Sequence, residues 1–410
     1  MRDFQLELMR YAEIIVKIGL NIQKGQTLVV FAPVSAVAIV RLIVKTAYES
    51  GAYDIYVDWN DDEIVRLKYE LASEDSLKDY PMFKLKGIEE LIDSNGALLF
   101  IRAPDPELFS GIDPKRIIIG NKTVSVALSE FQQNIMTKKL SWSLVAVPSK
   151  AWAAKVFPDL EESEGVGRLW EAIFKATRAD LLNPIQEWEK HNNNLKYRVN
   201  YLNSKKYRCL SYYAPGTKLS IELPENHIWH GGEKINNRGA SFYANIPTEE
   251  VFTAPLKNGV NGIVSSTKPL SNRGILIENF TLTFKNGKII DFTAEVGYDA
   301  LKRIIETDEG SCYIGEVALV PHNSPISESN LIYYHTLFDE NASCHLAIGN
   351  AYPFCIEGGV DLDREHLAQQ GINTSNIHVD FMIGSGELDI YGESSDGTKE
   401  QIICNGKWMF

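Results

Sequence analysis

The segment TLVVFAPVSAVAIVRLIVKTAYESGAYDIYV, residues 27–57, decides the fold of the first half of the chain. Residues 27–31 and 53–57 are two short runs with strand character. Between them, the apolar residues from about 35 to 50 have helical spacing, so the segment predicts strand, helix, strand. Apolar strands that are joined by a helix are typical of a parallel sheet covered on both faces.

The same alternation continues to about residue 180. A helix is predicted over residues 61–72, and further apolar strands over 97–101 and 142–147. Neither GxGxxG nor GxxxxGK[ST] is present, so the sheet carries no nucleotide-binding fingerprint. We therefore predict an N-terminal α/β scaffold domain, residues 1–207, with a mostly parallel sheet.

After a long polar helix predicted over residues 180–207, the pattern changes. Residues 218–223 alternate strictly between polar and apolar, and so do 281–284 and 290–293. The Asn286-Gly287 pair between the last two segments is typical of a β-hairpin turn. Residues 208–410 are thus predicted to form a β-rich domain of antiparallel-rich α+β type, and the chain as a whole is predicted to belong to the α/β class.

Charge and cysteine content exclude several classes of protein. The net charge is −13 and no basic block is present, which argues against a nucleic-acid partner or an anionic membrane surface. The five cysteines form no CxxC pair, so neither a disulfide framework nor a four-cysteine zinc site is predicted. The N-terminus has no signal-peptide pattern and no segment is apolar enough to span a bilayer, so we expect a cytoplasmic protein.

Side chains that bind hard metal ions are concentrated in the last third of the chain. They lie in five short stretches, residues 248–251, 315–317, 339–341, 343–346 and 378–381. Mixed carboxylates and imidazoles suit zinc, cobalt or manganese better than calcium, which prefers oxygen ligands alone. Such a set can also hold two divalent ions with a water between them, which is hydrolase chemistry.

His378 and Asp380 are the most informative pair. Residues 376–383 have strand character, and residues two apart on a strand share a face, so both side chains are predicted to point the same way. The alternative is a His-Asp hydrogen bond that tethers two strands. Glu316 lies in the otherwise apolar strand 313–320, where a buried carboxylate must be protonated, paired with a cation or bound to metal.

The other candidates leave alternatives open. Glu340 and His345 can converge if residues 341–344 turn, although His345, taken singly, is better explained as a core histidine with satisfied hydrogen bonds. In extended chain, either Glu249 or Glu250 faces the interior while the other faces solvent, and the residues themselves do not decide which. His191, among three asparagines, is predicted to be a solvated helix position.

Other hydrolase signatures are absent. The sequence contains no GxSxG elbow and no HExxH, and Cys344 and Cys355 lack the local signature of a cysteine protease.

Four longer motifs carry a resemblance to a known family. They are NIPTEEVFT (245–253), IGEVALVP (314–321), DENASCH (339–345) and NIHVDFMIG (376–384). In this order, and with an N-terminal α/β half of the right length, the whole chain resembles the metallo-aminopeptidases that include aminopeptidase T, aminopeptidase S and PepS.

The resemblance implies an enzyme that releases N-terminal amino acids from peptides with broad specificity. It implies two divalent metal ions (Zn, Co, Mn or Mg), a homodimer and a water activated by both ions. The implied metal ligands are Glu250, Glu316, Glu340, His345, His378 and Asp380, and the implied catalytic residues are Glu316, Glu340 and Tyr352. On this basis Glu250 is favoured over Glu249, whereas Glu340 can be a ligand or the general base.

Two other functions fit the same residues. One is a different metal-dependent hydrolase, an amidase or a phosphoesterase. The other is a non-enzymatic interaction protein stabilised by a closed metal site, although structural zinc sites favour cysteine ligands.

Overall fold

The parallel sheet predicted from residues 27–57 is present in the computed structural model, which describes residues 3–93, 96–128, 131, 135, 140–272 and 275–410. The strand order is β2–β1–β3–β4, and all neighbours are parallel. The strands are β1 (Thr27–Pro33), β2 (Asp54–Asn60), β3 (Ala97–Arg102) and β4 (Ser141–Ala146). Leu28, Val30 and Ala32 of the central strand β1 are fully buried, while Val29 and Phe31 on its other face pack against a second apolar cluster.

Helices connect and follow these strands close to the predicted positions. They are α1 (Phe4–Ile14), α2 (Val37–Glu49), α3 (Asp62–Leu71), α4 (Glu74–Leu77), α5 (Met82–Asp93), α6 (Pro114–Ala127), α7 (Lys150–Val156), α8 (Glu162–Ala176) and α9 (Pro184–Lys205). Asp61 accepts hydrogen bonds from the first backbone N–H groups of α3, which fixes where that helix begins. The long polar helix is α9, and it begins a few residues later than the sequence predicts because Pro184 occupies its first position.

The chain forms two compact units. The first contains Met1–Lys190 and Glu233–Pro247, and the second contains His191–Gly232 and Thr248–Phe410. The predicted domain boundary between residues 207 and 208 stays a prediction, because compactness alone does not establish which part folds independently.

The second unit is built from antiparallel sheets, as predicted. Its eight-stranded sheet has the order β15–β14–β11–β6–β5–β19–β20–β21, and its five-stranded sheet has the order β18–β17–β16–β10–β7. The strands of the larger sheet are β5 (Cys209–Ala214), β6 (Thr217–Glu222), β11 (Val260–Ser265), β14 (Thr281–Lys285), β15 (Lys288–Thr293), β19 (Asp389–Glu393), β20 (Lys399–Cys404) and β21 (Lys407–Trp408). Those of the smaller sheet are β7 (His230–Gly231), β10 (Val251–Thr253), β16 (Ile314–Leu319), β17 (His345–Gly349) and β18 (His378–Met382).

Short strands and helices complete the described part of this unit and of residues 233–247. The strands are β8 (Lys234–Ile235), β9 (Ser241–Phe242), β12 (Leu270–Asn272) and β13 (Ile275–Ile277). The helices are α10 (Tyr298–Ile305), α11 (Pro325–Glu328), α12 (Thr336–Asp339) and α13 (Arg364–Gln369). The predicted hairpin joins β14 to β15, and both Asn286 (φ 50°) and Gly287 (φ 81°) have the positive φ that this tight turn requires.

These observations confirm the α/β class, with a parallel sheet in the N-terminal part and antiparallel sheets later. All five cysteines are free thiols. Among the described residues, none of the helices combines the length and the hydrophobicity needed to cross a membrane.

Candidate metal centre

Four of the six predicted ligands, Glu316, His345, His378 and Asp380, lie on one face of the five-stranded sheet. Glu316 pairs with Ala347, which pairs in turn with Asp380, so the three side chains share a face. His345 on β17 and His378 on β18 are each two residues from members of that row and point to the same side. Glu250 precedes β10 by one residue and reaches the same group.

The opposite face of this sheet belongs to the hydrophobic core of the second unit. Val251, Val317, Leu346, Ile348 and Phe381 are all fully buried in that core. The predicted strand alternation therefore separates the two roles, because core residues alternate along the strands with residues on the face that carries the ligands. Ala347 lies between Glu316 and Asp380 in the row across the sheet, and its small side chain leaves room for the two carboxylates.

A β-bulge determines which way Glu316 points. Ile314 pairs with Ile348, but Glu316 pairs with Ala347, so Gly315 is an extra residue in β16. In a regular register, Glu316 would share the core face with Ile314, since residues two apart on a strand share a face. The bulge turns the carboxylate to the other face. A Cβ at Gly315 would lie 2.4 Å from the carbonyl oxygens of both Gly349 and Asn350, so the bulge requires glycine.

Replacing Gly315 by alanine is expected to destabilise the protein by about 1–3 kcal/mol, the usual cost of overpacking, because the new methyl group meets backbone atoms that cannot rotate away. We also expect weaker binding of divalent ions, since Glu316 shifts with the strand. Urea unfolding and ion titration of the chelator-treated protein measure the two effects. Gly386→Ala is the matched control, because its Cβ would lie at an ordinary 3.4 Å from His322. Equal results for both variants would contradict this account of the bulge.

The Glu316 carboxylate lies between two groups of candidate ligands. One group is Glu250, Glu316 and His345, and the other is Glu316, His378 and Asp380; the ligand atoms within each lie within 4.8 Å of one another. Nε2 of His345 is 3.2 Å from Glu250 Oε2 and 3.6 Å from Glu316 Oε1. Nε2 of His378 is 3.7 Å from Glu316 Oε2 and 3.2 Å from Asp380 Oδ1. The two oxygens of one carboxylate therefore face different imidazoles.

Backbone contacts orient both imidazoles in the way that metal-binding histidines are oriented. Nδ1 of His378 lies 2.7 Å from the carbonyl oxygen of Asn350, and Nδ1 of His345 lies 3.1 Å from that of Ser343. A carbonyl only accepts, so each Nδ1 carries the proton. In the neutral tautomer, the lone pair of each Nε2 is then directed at the carboxylates.

Asp380 supplies a further sign that this group suits a cation. Within the part of the chain that the structure describes, its buried Oδ1 makes no hydrogen bond of acceptable geometry, although His378 Nε2 is close. A buried carboxylate oxygen without such a bond is costly unless a positive charge stands beside it. The residues present therefore fit a divalent metal.

The shifted pKa values of Glu316, His345 and His378 reflect the excess of carboxylates over cations in these two ligand groups. Burial raises the pKa of Glu316, although a hydrogen bond with His345 opposes the shift. Burial acts to lower the pKa of His345, but hydrogen bonds with Glu250 and Glu316 outweigh it and raise that pKa well above its usual range. For His378, burial is outweighed by the negative charge of Asp380, and the pKa rises to about 10. Protons on the imidazoles balance charge that a metal ion would otherwise balance.

Glu340 and Tyr352 lie beside these groups rather than in them. Glu340 begins a short 3-10 helix over residues Glu340–Ala342, the turn that the sequence requires if Glu340 and His345 are to converge. Burial, followed by the charges of Glu250 and Asp380, raises the pKa of Glu340 well above its usual range. The Tyr352 ring lies 4.9 Å from the His378 ring, and burial raises its pKa as well, so the hydroxyl stays protonated.

Two expectations from the sequence are wrong. Neither Glu249 nor Glu250 faces solvent, because their side chains are only 5% and 13% exposed. His191 is not a solvated helix position either: its side chain is 10% exposed, and its Nε2 lies 2.7 Å from the carbonyl oxygen of Thr248. The three asparagines that follow His191 indicate a solvated helix, but they do not show on which side of the helix the histidine lies.

Sequence reasoning also missed Asn341, which is fully buried and accepts a hydrogen bond from the backbone N–H of Glu249 at 2.7 Å. Its position in the motif DENASCH, beside Glu340, could have indicated a role in the site. His227 and His230 bind backbone carbonyls, those of Pro224 and Phe354, rather than members of the ligand groups.

Comparison with known proteins identifies the class of enzyme. The chain is 51% identical to "Aminopeptidase 2" of Geobacillus stearothermophilus, covering 100% of this chain and 99% of that protein. It is 52% identical to "Aminopeptidase AmpS" of Bacillus subtilis (strain 168), with both proteins covered completely. The solved structure "Wild-type AmpT from Thermus thermophilus" matches with a TM-score of 0.94 at 38% identity, covering 100% of both chains. These relatives define an aminopeptidase, as the sequence predicts.

The family follows from the same comparisons. Residues 4–408 match the model of Peptidase M29, described as "Thermophilic metalloprotease (M29)". The chain belongs to this family, which confirms the resemblance stated on the four motifs.

Proposed function

We propose that this enzyme removes single residues from the free N-terminus of peptides, using two divalent ions held by Glu250, Glu316, His345, His378 and Asp380. The observation that carries this proposal is the position of Glu316. Its two carboxylate oxygens face His345 and His378 at 3.6 and 3.7 Å, which suits one carboxylate shared between two ions. Bound ions of this kind lower the pKa of a water from ~15.7 toward about 7 and polarise the scissile carbonyl.

Glu340 is the residue we propose as general base. Glu316 is engaged on both oxygens, whereas Glu340 belongs to neither ligand group, so its carboxylate is available for proton transfer. Its raised pKa suits a group that accepts a proton from water and returns it to the leaving amine. The free α-amine of a substrate is proposed to bind one of the ions or an unliganded carboxylate, which would restrict cleavage to the first residue.

Tyr352 is proposed to donate a hydrogen bond to the oxyanion that forms at the scissile carbonyl. Replacing it by phenylalanine is expected to lower kcat about 100-fold or more, the usual effect of losing one such donor, while the metal content stays unchanged. Steady-state kinetics and elemental analysis of the purified variant measure both. Phe354→Leu is the control for packing, because Phe354 stacks on Tyr352 with ring centroids 5.2 Å apart and has no hydroxyl. Wild-type kcat in Tyr352→Phe would contradict the assigned role.

The test of the whole proposal is hydrolysis of leucine-p-nitroanilide by protein stripped with a chelator and then supplied with Co²⁺, Zn²⁺, Mn²⁺ or Mg²⁺. We expect activity to disappear on stripping, to return with at least one ion, and to be absent for N-acetyl-leucine-p-nitroanilide, which has no free amine. Turnover of p-nitrophenyl phosphate instead would favour a phosphoesterase. Tight ion binding that raises the melting temperature without any turnover would favour a structural site.

The resemblance to the family supports three further parts of the proposal. We expect zinc, cobalt, manganese or magnesium as the metal, a homodimer as the assembly and the cytoplasm as the compartment. Sedimentation velocity of the metal-loaded protein tests the dimer directly.

A further inference from the structure

One peptide group beside the candidate metal centre is held at both of its polar atoms. The carbonyl oxygen of Thr248 lies 2.7 Å from Nε2 of His191, and the N–H of Glu249 donates to Oδ1 of Asn341 at 2.7 Å. These two atoms belong to the same peptide group, the one between Thr248 and Glu249. Because a carbonyl oxygen only accepts, Nε2 of His191 must carry a proton.

The side chain of Asn341 is itself fixed by its other contacts. It is fully buried, and its Nδ2 donates to the Leu337 carbonyl at 3.0 Å, which assigns the two ends of the amide. The same Nδ2 lies 3.4 Å from Oε1 of Glu340, a long hydrogen bond. Asn341 therefore connects the segment that precedes Glu250 with the carboxylate of Glu340.

The contacts of this peptide group help to explain why Glu250, rather than Glu249, reaches the metal centre, a choice that the sequence leaves open. Glu249 and Glu250 are adjacent carboxylates, and both are largely buried, so burial does not select the one that reaches His345. The orientation of the preceding peptide group fixes the backbone direction at Glu249, and with it the side to which each carboxylate points. In the observed orientation, Glu250 reaches His345 at 3.2 Å, while Glu249 lies 3.7 Å from His191.

We propose that His191 and Asn341 are positioning residues of the metal centre, which direct Glu250 rather than Glu249 toward His345 by holding the Thr248–Glu249 peptide group. Asn341 also positions the carboxylate of Glu340, through the hydrogen bond from its Nδ2. This inference rests on the proposed function, in which Glu250 is a metal ligand. Outer contacts of this kind typically contribute 10- to 100-fold to metal affinity.

The test compares two substitutions of His191 that differ in hydrogen-bond donors. His191→Leu removes the donor to the Thr248 carbonyl, whereas the amide of His191→Gln retains one. Calorimetric titration of each chelator-stripped variant with Zn²⁺ gives affinity and stoichiometry without reference to activity. We expect about 10- to 100-fold weaker binding for His191→Leu and near wild-type binding for His191→Gln.

His227→Leu is the matched control. His227 is 1% exposed, and its Nδ1 lies 2.7 Å from the Pro224 carbonyl, a contact of the same kind and length away from the ligand groups. We expect this variant to lose thermal stability but to keep its Zn²⁺ affinity. An affinity for His191→Leu equal to that of His227→Leu would overturn the inference. If His191→Leu does not fold, the shorter amide of His191→Asn is compared with His191→Gln in the same titration.

A double-mutant cycle adds a second readout. Because His191 and Asn341 hold the same peptide group, combining His191→Leu with Asn341→Leu is expected to weaken Zn²⁺ binding by less than the product of the two single effects. Independent effects would overturn the shared role. Failure of the proposed function is distinguishable, since the stripped wild-type protein would then bind no Zn²⁺ or would bind it without gaining activity.

Discussion

Replacing Glu316 by alanine is expected to remove the two proposed divalent ions and to lower kcat/KM by at least ~1,000-fold, because residual catalysis without the ions has no activated water. The reason lies in the shared position of this carboxylate: its two oxygens face the two imidazoles, so neither ligand group is complete without it. Elemental analysis after dialysis gives the metal content, and hydrolysis of leucine-p-nitroanilide gives the activity. His378→Ala is expected to behave in the same direction, with loss of metal and of activity.

The matched control for this prediction is Glu249→Gln. Glu249 is a neighbouring buried carboxylate that belongs to neither ligand group, so its neutral amide is expected to leave metal content and activity in place. Glu316→Gln, which preserves volume, separates the loss of charge from the loss of packing. Normal metal content together with full activity in Glu316→Ala would refute the assignment of the centre.

The second large effect is expected for Glu340→Gln. General acid–base catalysis typically contributes 100- to 10,000-fold, so kcat should fall by that range while the metal content remains that of the wild type. The acidic limb of the pH profile of kcat/KM should also disappear, since that limb requires the base to lose its proton before it can accept one from water. Burial and the charges of Glu250 and Asp380 raise the pKa of this carboxylate in the metal-free centre, and bound divalent ions act in the opposite direction, so the position of the limb measures which influence is larger.

This variant also decides between the two roles that remain open for Glu340. If the residue is a metal ligand, metal content and activity should fall together in Glu340→Gln. If it is the base, activity should fall alone. Unchanged activity would exclude both roles.

Much of the fold could be predicted because helices and strands each require a characteristic spacing of apolar residues along the sequence. The strand at residues 27–31, the helix that follows it and the Asn286-Gly287 turn all appear within a few residues of their predicted positions. The shared face of His378 and Asp380 followed from the two-residue period of a strand alone. The residue at which α9 begins was predicted less well, because helix ends depend on capping and on tertiary contacts.

The candidate centre could be predicted in part. Residue types identified the carboxylates and imidazoles, but their convergence depends on strand pairing, which periodicity does not determine. The bulge at Gly315 is an example, since an extra residue becomes visible only when β16 is paired with β17. The contacts of His191 and Asn341 were missed for a related reason: each joins segments that are distant in the sequence, and polar residues alone do not reveal their partners.

The five-stranded sheet links metal binding to the stability of the folded protein, because one of its faces packs the core and the other carries ligands. Strands β16, β17 and β18 pack the core on one face and carry four of the proposed ligands on the other, so ions that bind only the folded state must stabilise that core. At a free-ion concentration one hundred times Kd, a single bound ion adds about 2.7 kcal/mol. Protein molecules without metal are then expected to be inactive and also to unfold more often. Because proteases cleave unfolded chains, we expect metal-free molecules to be degraded sooner than metal-loaded ones.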